Sequence, residues 1–178
     1  MKYLKYYIST FTLIVAIHIC FLGEHYPTIF FIGFSLFIIL GDIIMKKDYA
    51  EQEYSKPYLL DLPMYLNFFL LTIIVFVSVF FLCDAEPGIF VNGMSKYLNI
   101  ELYETRSSIN FVDSILLVAL IGLFIGIMGT VPGHELVHRK KNKFDMFMGN
   151  WLLAFSWDCA FAIAVSYTHL TLPTNREV

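Results

Sequence analysis

Two histidines four residues apart are the clearest candidates for chemistry in this sequence. His134 and His138 lie in residues 133–140, which read G-H-E-L-V-H-R-K. On an α-helix a spacing of four places both imidazoles on one face. Two neutral imidazoles held in this way can bind a metal ion, with Glu135 beside them as an acid–base group or a hydrogen-bonding carboxylate. The spacing fits both a zinc peptidase and a membrane di-iron oxygenase.

The composition indicates a membrane protein. Of the 178 residues, 58% are hydrophobic and 15% are charged, and the apolar residues form blocks long enough to cross a bilayer. These blocks predict transmembrane helices at residues 7–22, 28–45, 64–83 and 110–131. The short connection after the first helix implies a helical hairpin. The predicted fold is all-α, with four transmembrane helices in two hairpins and with the lipid bilayer, not nucleic acid, as its partner.

The basic residues predict which way these helices cross the membrane. They precede the first helix, separate the second from the third and follow the fourth, whereas the opposite side carries only Lys96 and Arg106. By the positive-inside rule, the N-terminus and residues 133–140 are cytoplasmic, and we expect a bacterial inner membrane. Residues 144–163 are apolar and aromatic, and we expect a helical segment along the cytoplasmic face.

Other polar or reactive side chains in the apolar blocks are weaker candidates. His18 lies near the far end of the first helix, where we expect a hydrogen-bonded side chain at the membrane interface. Asp158 lies late in an apolar run, where burial of a charged carboxylate costs free energy. Because such residues are usually functional, we take Asp158 as a candidate ligand. The cysteines show no CxxC spacing, so we expect buried apolar side chains at Cys20, Cys83 and Cys159.

Small residues recur along the fourth predicted helix, at Gly122, Gly126 and Gly129. In membrane bundles such spacing usually marks a close approach between helices. We therefore expect these glycines to serve helix packing and not ligand binding.

The end of the chain breaks the pattern of a natural membrane domain. Residues 165–174 read V-S-Y-T-H-L-T-L-P-T, which resembles a translated transposon adapter used in sequencing libraries. We therefore expect residues 164–178 to be a non-native tail and residues 1–163 to be the native part of a truncated domain. On this interpretation His169 is not a ligand, and ligands later in the natural protein are missing.

Residues 129–140 resemble the first histidine box of the integral-membrane alkane hydroxylases, which reads roughly G-T/I-x-x-x-H-E-L-x-H-K/R. These enzymes belong with xylene monooxygenase in the fatty acid desaturase superfamily. Gly129 and Thr130 match the start of that pattern, and residues 133–140 match the rest. Residues 151–163 resemble the lead-in to a second box, E-H-x-x-G-H-H. The resemblance covers about residues 1–163 and one box of three.

The resemblance implies a non-haem di-iron oxygenase. In that family the iron ligands are almost all histidines, so His134 and His138 would be iron ligands and Glu135 an outer carboxylate. The family hydroxylates or desaturates aliphatic chains, such as an alkane or a fatty acyl chain, with O₂ and electrons from a rubredoxin- or ferredoxin-like donor. Because two ligands cannot hold two irons, we expect the di-iron centre to be incomplete and this chain to be inactive.

Two alternatives stay open. In a zinc peptidase, His134 and His138 would bind one zinc ion and Glu135 would be the general base. The third ligand would then lie elsewhere, and Asp158 is the candidate close downstream. In a non-catalytic membrane protein, the two histidines would only stabilise the C-terminal end of a helix through its dipole.

Overall fold

The computed structural model describes residues 3–44, 56, 58–83, 88–98, 102–139 and 141–158, and every regular element in these ranges is helical. A 3-10 turn, Leu4–Tyr7, precedes α1 (Ile8–Leu22), α2 (Tyr26–Ile44), α3 (Tyr58–Leu82), α4 (Gly88–Leu98), α5 (Leu102–Ser108) and α6 (Phe111–Phe124). A π-helical segment, Ile125–Thr130, is followed by α7 (Val131–His138) and α8 (Lys143–Ala154). The predicted all-α class is confirmed.

Four helical segments are long and apolar enough to cross a membrane, as the sequence predicted: Leu4–Leu22, Tyr26–Ile44, Tyr58–Leu82 and Phe111–His138. Three of their ends differ from the prediction at a proline, the first of them at Pro27, which lies in the first turn of α2. Pro63 is buried inside α3, where packing of the apolar face outweighs one missing backbone hydrogen bond. Pro132 lies in the first turn of α7, directly after the π-helical segment Ile125–Thr130, and the fourth span continues through it to His138.

The chain divides into two units, one ending at Phe124 and one beginning at Ile125. In the first unit, α1 packs against α2 and α3, and α6 packs against the same two helices. Its fully buried side chains include Leu13, Leu71, Leu117 and Phe124. Since lipid is as apolar as these side chains, close packing and hydrogen bonds between helices hold such a bundle together.

A buried hydrogen-bond network connects α1 to α3. The Thr10 hydroxyl donates to Asn67 Oδ1 at 2.9 Å, and Asn67 Nδ2 donates to the Ser9 hydroxyl at 3.2 Å. Asn67 is 2% exposed, so burial of its amide without these hydrogen-bond partners would destabilise the fold. The network therefore fixes the register of α1 on α3.

A second polar cluster joins the start of α2 to the start of α6. Asp113 is 2% exposed, and its two carboxylate oxygens accept from His25 Nδ1 at 2.9 Å and from the Thr28 hydroxyl at 2.6 Å. The Asn110 side chain caps the same turn by accepting from the Asp113 N–H at 2.9 Å. The cost of the buried carboxylate is thus offset by the two hydrogen bonds that it accepts.

We expect Asp113→Asn to lower the free energy of unfolding by about 1–3 kcal/mol, because the amide cannot accept from both His25 and Thr28. Unfolding of the purified protein in mixed micelles, followed by circular dichroism, measures the change. Asp42→Asn is the matched control, since Asp42 is exposed on α2. Equal stability of the two variants would show that the Asp113 cluster does not hold α2 to α6.

The cysteine prediction is confirmed in part, and the hydrogen bond expected for His18 is not found among the described residues. Cys20 is buried as expected, whereas Cys83 is exposed because it directly follows the end of α3. Cys159 lies outside the described residues. His18 is exposed on α1 and makes no hydrogen bond to a described residue.

Candidate metal-binding site

The two histidines of residues 133–140 lie one turn apart on α7, and their imidazoles meet. The Nε2 atoms of His134 and His138 are 2.8 Å apart, and the ring centroids are 4.7 Å apart with an angle of 36° between the planes. Both side chains are exposed. The structure therefore brings both imidazoles to one accessible face of the helix, with the same nitrogen of each ring pointing inward to the pair.

One metal ion fits this pair after a small displacement of the rings. Metal–imidazole bonds of about 2.1 Å that meet at about 90° separate the two nitrogens by about 3.0 Å, close to the 2.8 Å observed between the Nε2 atoms. The described residues contain no group of three or more His, Cys, Asp or Glu side chains placed to hold a metal. Within that part of the chain, α7 supplies two adjacent ligands of an ion and leaves its other positions open.

Glu135 lies between the histidines in sequence and points to the basic end of α7. Its Oε1 is 3.5 Å from Arg139 Nη2, and its side chain is 60% exposed. An ion pair this exposed stabilises a helix only slightly. The carboxylate is thus exposed to solvent, one residue after His134, and its described partner is Arg139.

The start of α7 is shaped by the π-helical segment before it. The Thr130 hydroxyl donates to the Ile125 carbonyl oxygen at 3.2 Å, which satisfies an acceptor in the widened turn. Pro132 then occupies the first turn of α7. Short π-helical segments are frequent at functional sites, and this one ends immediately before the helix that carries the two histidines.

α8 supports α7 through a close contact between two glycines. A Cβ at Gly133 would lie 3.1 Å from the Gly149 carbonyl oxygen, and a Cβ at Gly149 would lie 2.9 Å from the Gly133 carbonyl oxygen. The buried side chains of Leu136 and Leu152 complete this contact. Because Gly133 directly precedes His134, the backbone that carries the first imidazole is held against α8.

Gly133 and Gly149 are not among the glycines that the sequence indicated, of which Gly129 is buried. A Cβ at Gly122 or Gly126 would meet nothing within 4 Å among the described residues, so the expectation of a close approach at those positions is not met there. Gly149 occurs alone in a different segment, and its pairing with Gly133 depends on how the chain turns between α7 and α8.

The buried carboxylate near the histidines is Asp145, not Asp158. Asp145 is 3% exposed, and its Oδ2 is 3.7 Å from Arg139 Nη1. The signal in the sequence is a helix cap: Asn142 accepts from the N–H groups of Phe144 and Asp145, which makes Asp145 the third residue of α8, where an acidic side chain is favoured.

Asp158 closes the end of α8. Its N–H donates to the Leu153 carbonyl oxygen at 3.2 Å, and the Trp157 N–H donates to Ala154 at 3.0 Å. Trp157 has φ +60°, which matches the left-handed residue that commonly ends a helix. This helix supplies the expected segment after the histidines, although its position relative to a membrane face stays a prediction. Residues 159–178, including His169 and the tail at 164–178, lie outside the described residues.

Comparisons of the chain with protein-family models, with curated proteins and with solved structures find no match. The case for a function therefore rests on residues 133–140, on the geometry of α7 and α8, and on the four apolar spans.

Proposed function

We propose that this chain carries the first histidine box of a membrane non-haem di-iron oxygenase of the alkane hydroxylase and fatty acid desaturase type. The observation that carries the proposal is the 2.8 Å approach of two Nε2 atoms on an exposed helix face. That face lies at the end of a segment long and apolar enough to span a membrane, Phe111–His138. Imidazole is a ligand that suits iron.

His134 and His138 would hold one side of the iron site, and Glu135 would accept hydrogen bonds beside them. The chemistry that a bound di-iron pair supplies is activation of O₂ for hydroxylation or desaturation of an aliphatic chain. The other ligands come from outside the described residues. The activity that we propose is that of an alkane 1-monooxygenase-like or desaturase-like oxidoreductase, and two histidines alone would not hold both irons.

The membrane location supports an apolar substrate. An alkane or a fatty acyl chain partitions into the bilayer, the same phase that the four apolar spans are long enough to cross. The basic residues that flank the spans orient the histidines to the cytoplasm, the side on which a soluble rubredoxin- or ferredoxin-like donor can reach them. We place the protein in a bacterial inner membrane.

Anaerobic binding of Fe²⁺ and nitric oxide tests the proposal. Nitric oxide occupies an open iron position and gives an electron paramagnetic resonance signal. We expect the chain in nanodiscs to bind Fe²⁺ and to give that signal, and we expect the His134→Ala/His138→Ala double variant to lose it. An added long-chain alkane or fatty acid should perturb the signal, because the substrate would lie beside the metal.

The alternatives predict different results in the same preparation. A zinc peptidase would bind zinc, cleave peptide substrates and lose cleavage in Glu135→Gln, in which the general base is removed. A non-catalytic membrane protein would retain no metal and would behave identically in the double variant. Either result would overturn the proposed function.

A further inference from the structure

We infer that Asp145 is a positioning residue for the metal site and acts through Arg139 to fix His138. The inference rests on the proposed function, because it concerns the same two imidazoles. It adds Asp145, a residue from α8 that lies outside residues 133–140. It also gives Arg139, which follows the second histidine, a role in placing His138 in addition to its positive charge.

The turn between α7 and α8 is held by hydrogen bonds on both sides. The Arg139 N–H donates to the Leu136 carbonyl oxygen at 3.1 Å, and the Asn142 N–H donates to the Arg139 carbonyl oxygen at 3.0 Å. The Asn142 side chain accepts from the Phe144 N–H at 3.0 Å. Arg139 is therefore fixed at its backbone, one residue after His138, and faces the first turn of α8.

The Arg139 side chain is fixed at its charged end as well. Asp145 has only 4% of its side chain exposed, whereas Arg139 has 33% exposed, and their closest atoms are 3.7 Å apart. A buried carboxylate is costly without a cationic partner, so Asp145 favours conformations that keep the guanidinium in place. The second contact of Arg139, with Glu135, connects the same guanidinium back to α7.

His138 needs such a restraint because one side of it is open. His138 borders a hollow of about 480 Å³, which Arg139, Lys141, Asn142 and Asp145 also line. Apolar packing of Leu136 and Val137 against Gly149 holds the opposite face of this end of α7, whereas His138 lies on the open side. On the open side, the Glu135–Arg139–Asp145 contacts add a restraint that, on this inference, keeps the His138 Nε2 within reach of the His134 Nε2.

Loss of this restraint should weaken metal binding without removing a ligand. Groups that orient metal ligands typically change metal affinity by about 10–100-fold when they are replaced. We expect Asp145→Asn to weaken Cu²⁺ binding by about 10-fold. Arg139→Met should weaken it comparably, and Arg139→Lys, which keeps the charge, should restore most of the affinity.

The experiment titrates the full chain in nanodiscs with Cu²⁺ and records the electron paramagnetic resonance spectrum of the bound ion. The His134→Ala/His138→Ala variant gives the background from other sites. Lys143→Met is the matched control for loss of a positive charge, since Lys143 is exposed at the start of α8, and it should leave affinity and spectrum unchanged. Asp145→Asn should instead broaden the nitrogen hyperfine pattern as the two imidazoles become less uniformly placed.

The outcomes separate this inference from the function on which it rests. If the unaltered chain binds no Cu²⁺ above the double-variant background, the proposed metal site fails. If it binds Cu²⁺ and Asp145→Asn binds equally with the same spectrum, only the positioning role fails. Weaker binding with an equal loss of helix content in both Asp145→Asn and Arg139→Met would assign the effect to unfolding and would also overturn the role.

Discussion

The Gly149→Ala variant is expected to loosen α7 from α8 and to weaken metal binding at the same time. The added Cβ would lie 2.9 Å from the Gly133 carbonyl oxygen and 2.9 Å from Val137 Cγ1. Because the first of these contacts is with backbone, a side-chain rotation cannot relieve it and the two helices must separate. Overpacking of this kind lowers the free energy of unfolding by about 1–3 kcal/mol, and Gly149→Leu should lower it further.

Hydrogen exchange of the amides in α7 and α8 measures the loosening directly, as a fall in the free energy of local opening. Gly122→Ala is the matched control, because a Cβ there would meet nothing within 4 Å among the described residues. We expect Gly122→Ala to keep wild-type protection. Unchanged exchange in Gly149→Ala would contradict the close contact between the two glycines.

Single replacement of either histidine should reduce metal affinity by more than about 100-fold. That estimate exceeds the effect of groups that only orient ligands, because His134→Ala or His138→Ala removes a coordinating nitrogen itself. The remaining imidazole would bind a metal no better than an isolated surface histidine. Equilibrium dialysis of the nanodisc-embedded protein against buffered Fe²⁺ or Cu²⁺ measures the loss.

His18→Ala is the control for this experiment, since His18 is also exposed but lies alone on α1. It should leave the affinity unchanged. If His18→Ala and His134→Ala had equal effects, the bound metal would not be held by the pair on α7.

The elements that the sequence predicted well are those that depend on local patterns. An uninterrupted apolar run that crosses a bilayer forms a helix, because a helix satisfies its own backbone hydrogen bonds. The sequence therefore predicts all four spans. The common face of His134 and His138 follows from helix periodicity alone. The errors occurred where a local rule met tertiary packing. Pro63 lies inside α3 and not at its start, and the span predicted to end at residue 131 continues through Pro132.

The features that the sequence did not reveal are contacts between distant positions. His25 and Thr28 are far from Asp113 in the chain, and their spacing carries no sign that they meet. The contact of Gly133 with Gly149 depends on the direction of the turn between the helices. The sequence analysis missed the buried Asp145 for the same reason, since apolar neighbours in sequence do not show which side of a helix is covered.

The central claim is that the imidazoles of His134 and His138 bind iron together, and X-ray absorption at the iron edge tests it most directly. For the Fe²⁺-loaded protein we predict scattering from two imidazole rings at nitrogen distances of about 2.1 Å. In His134→Ala the ring scattering should fall, with oxygen from solvent in its place. A spectrum that lacks imidazole scattering, or one that is identical in the His134→Ala/His138→Ala variant, would contradict the claim.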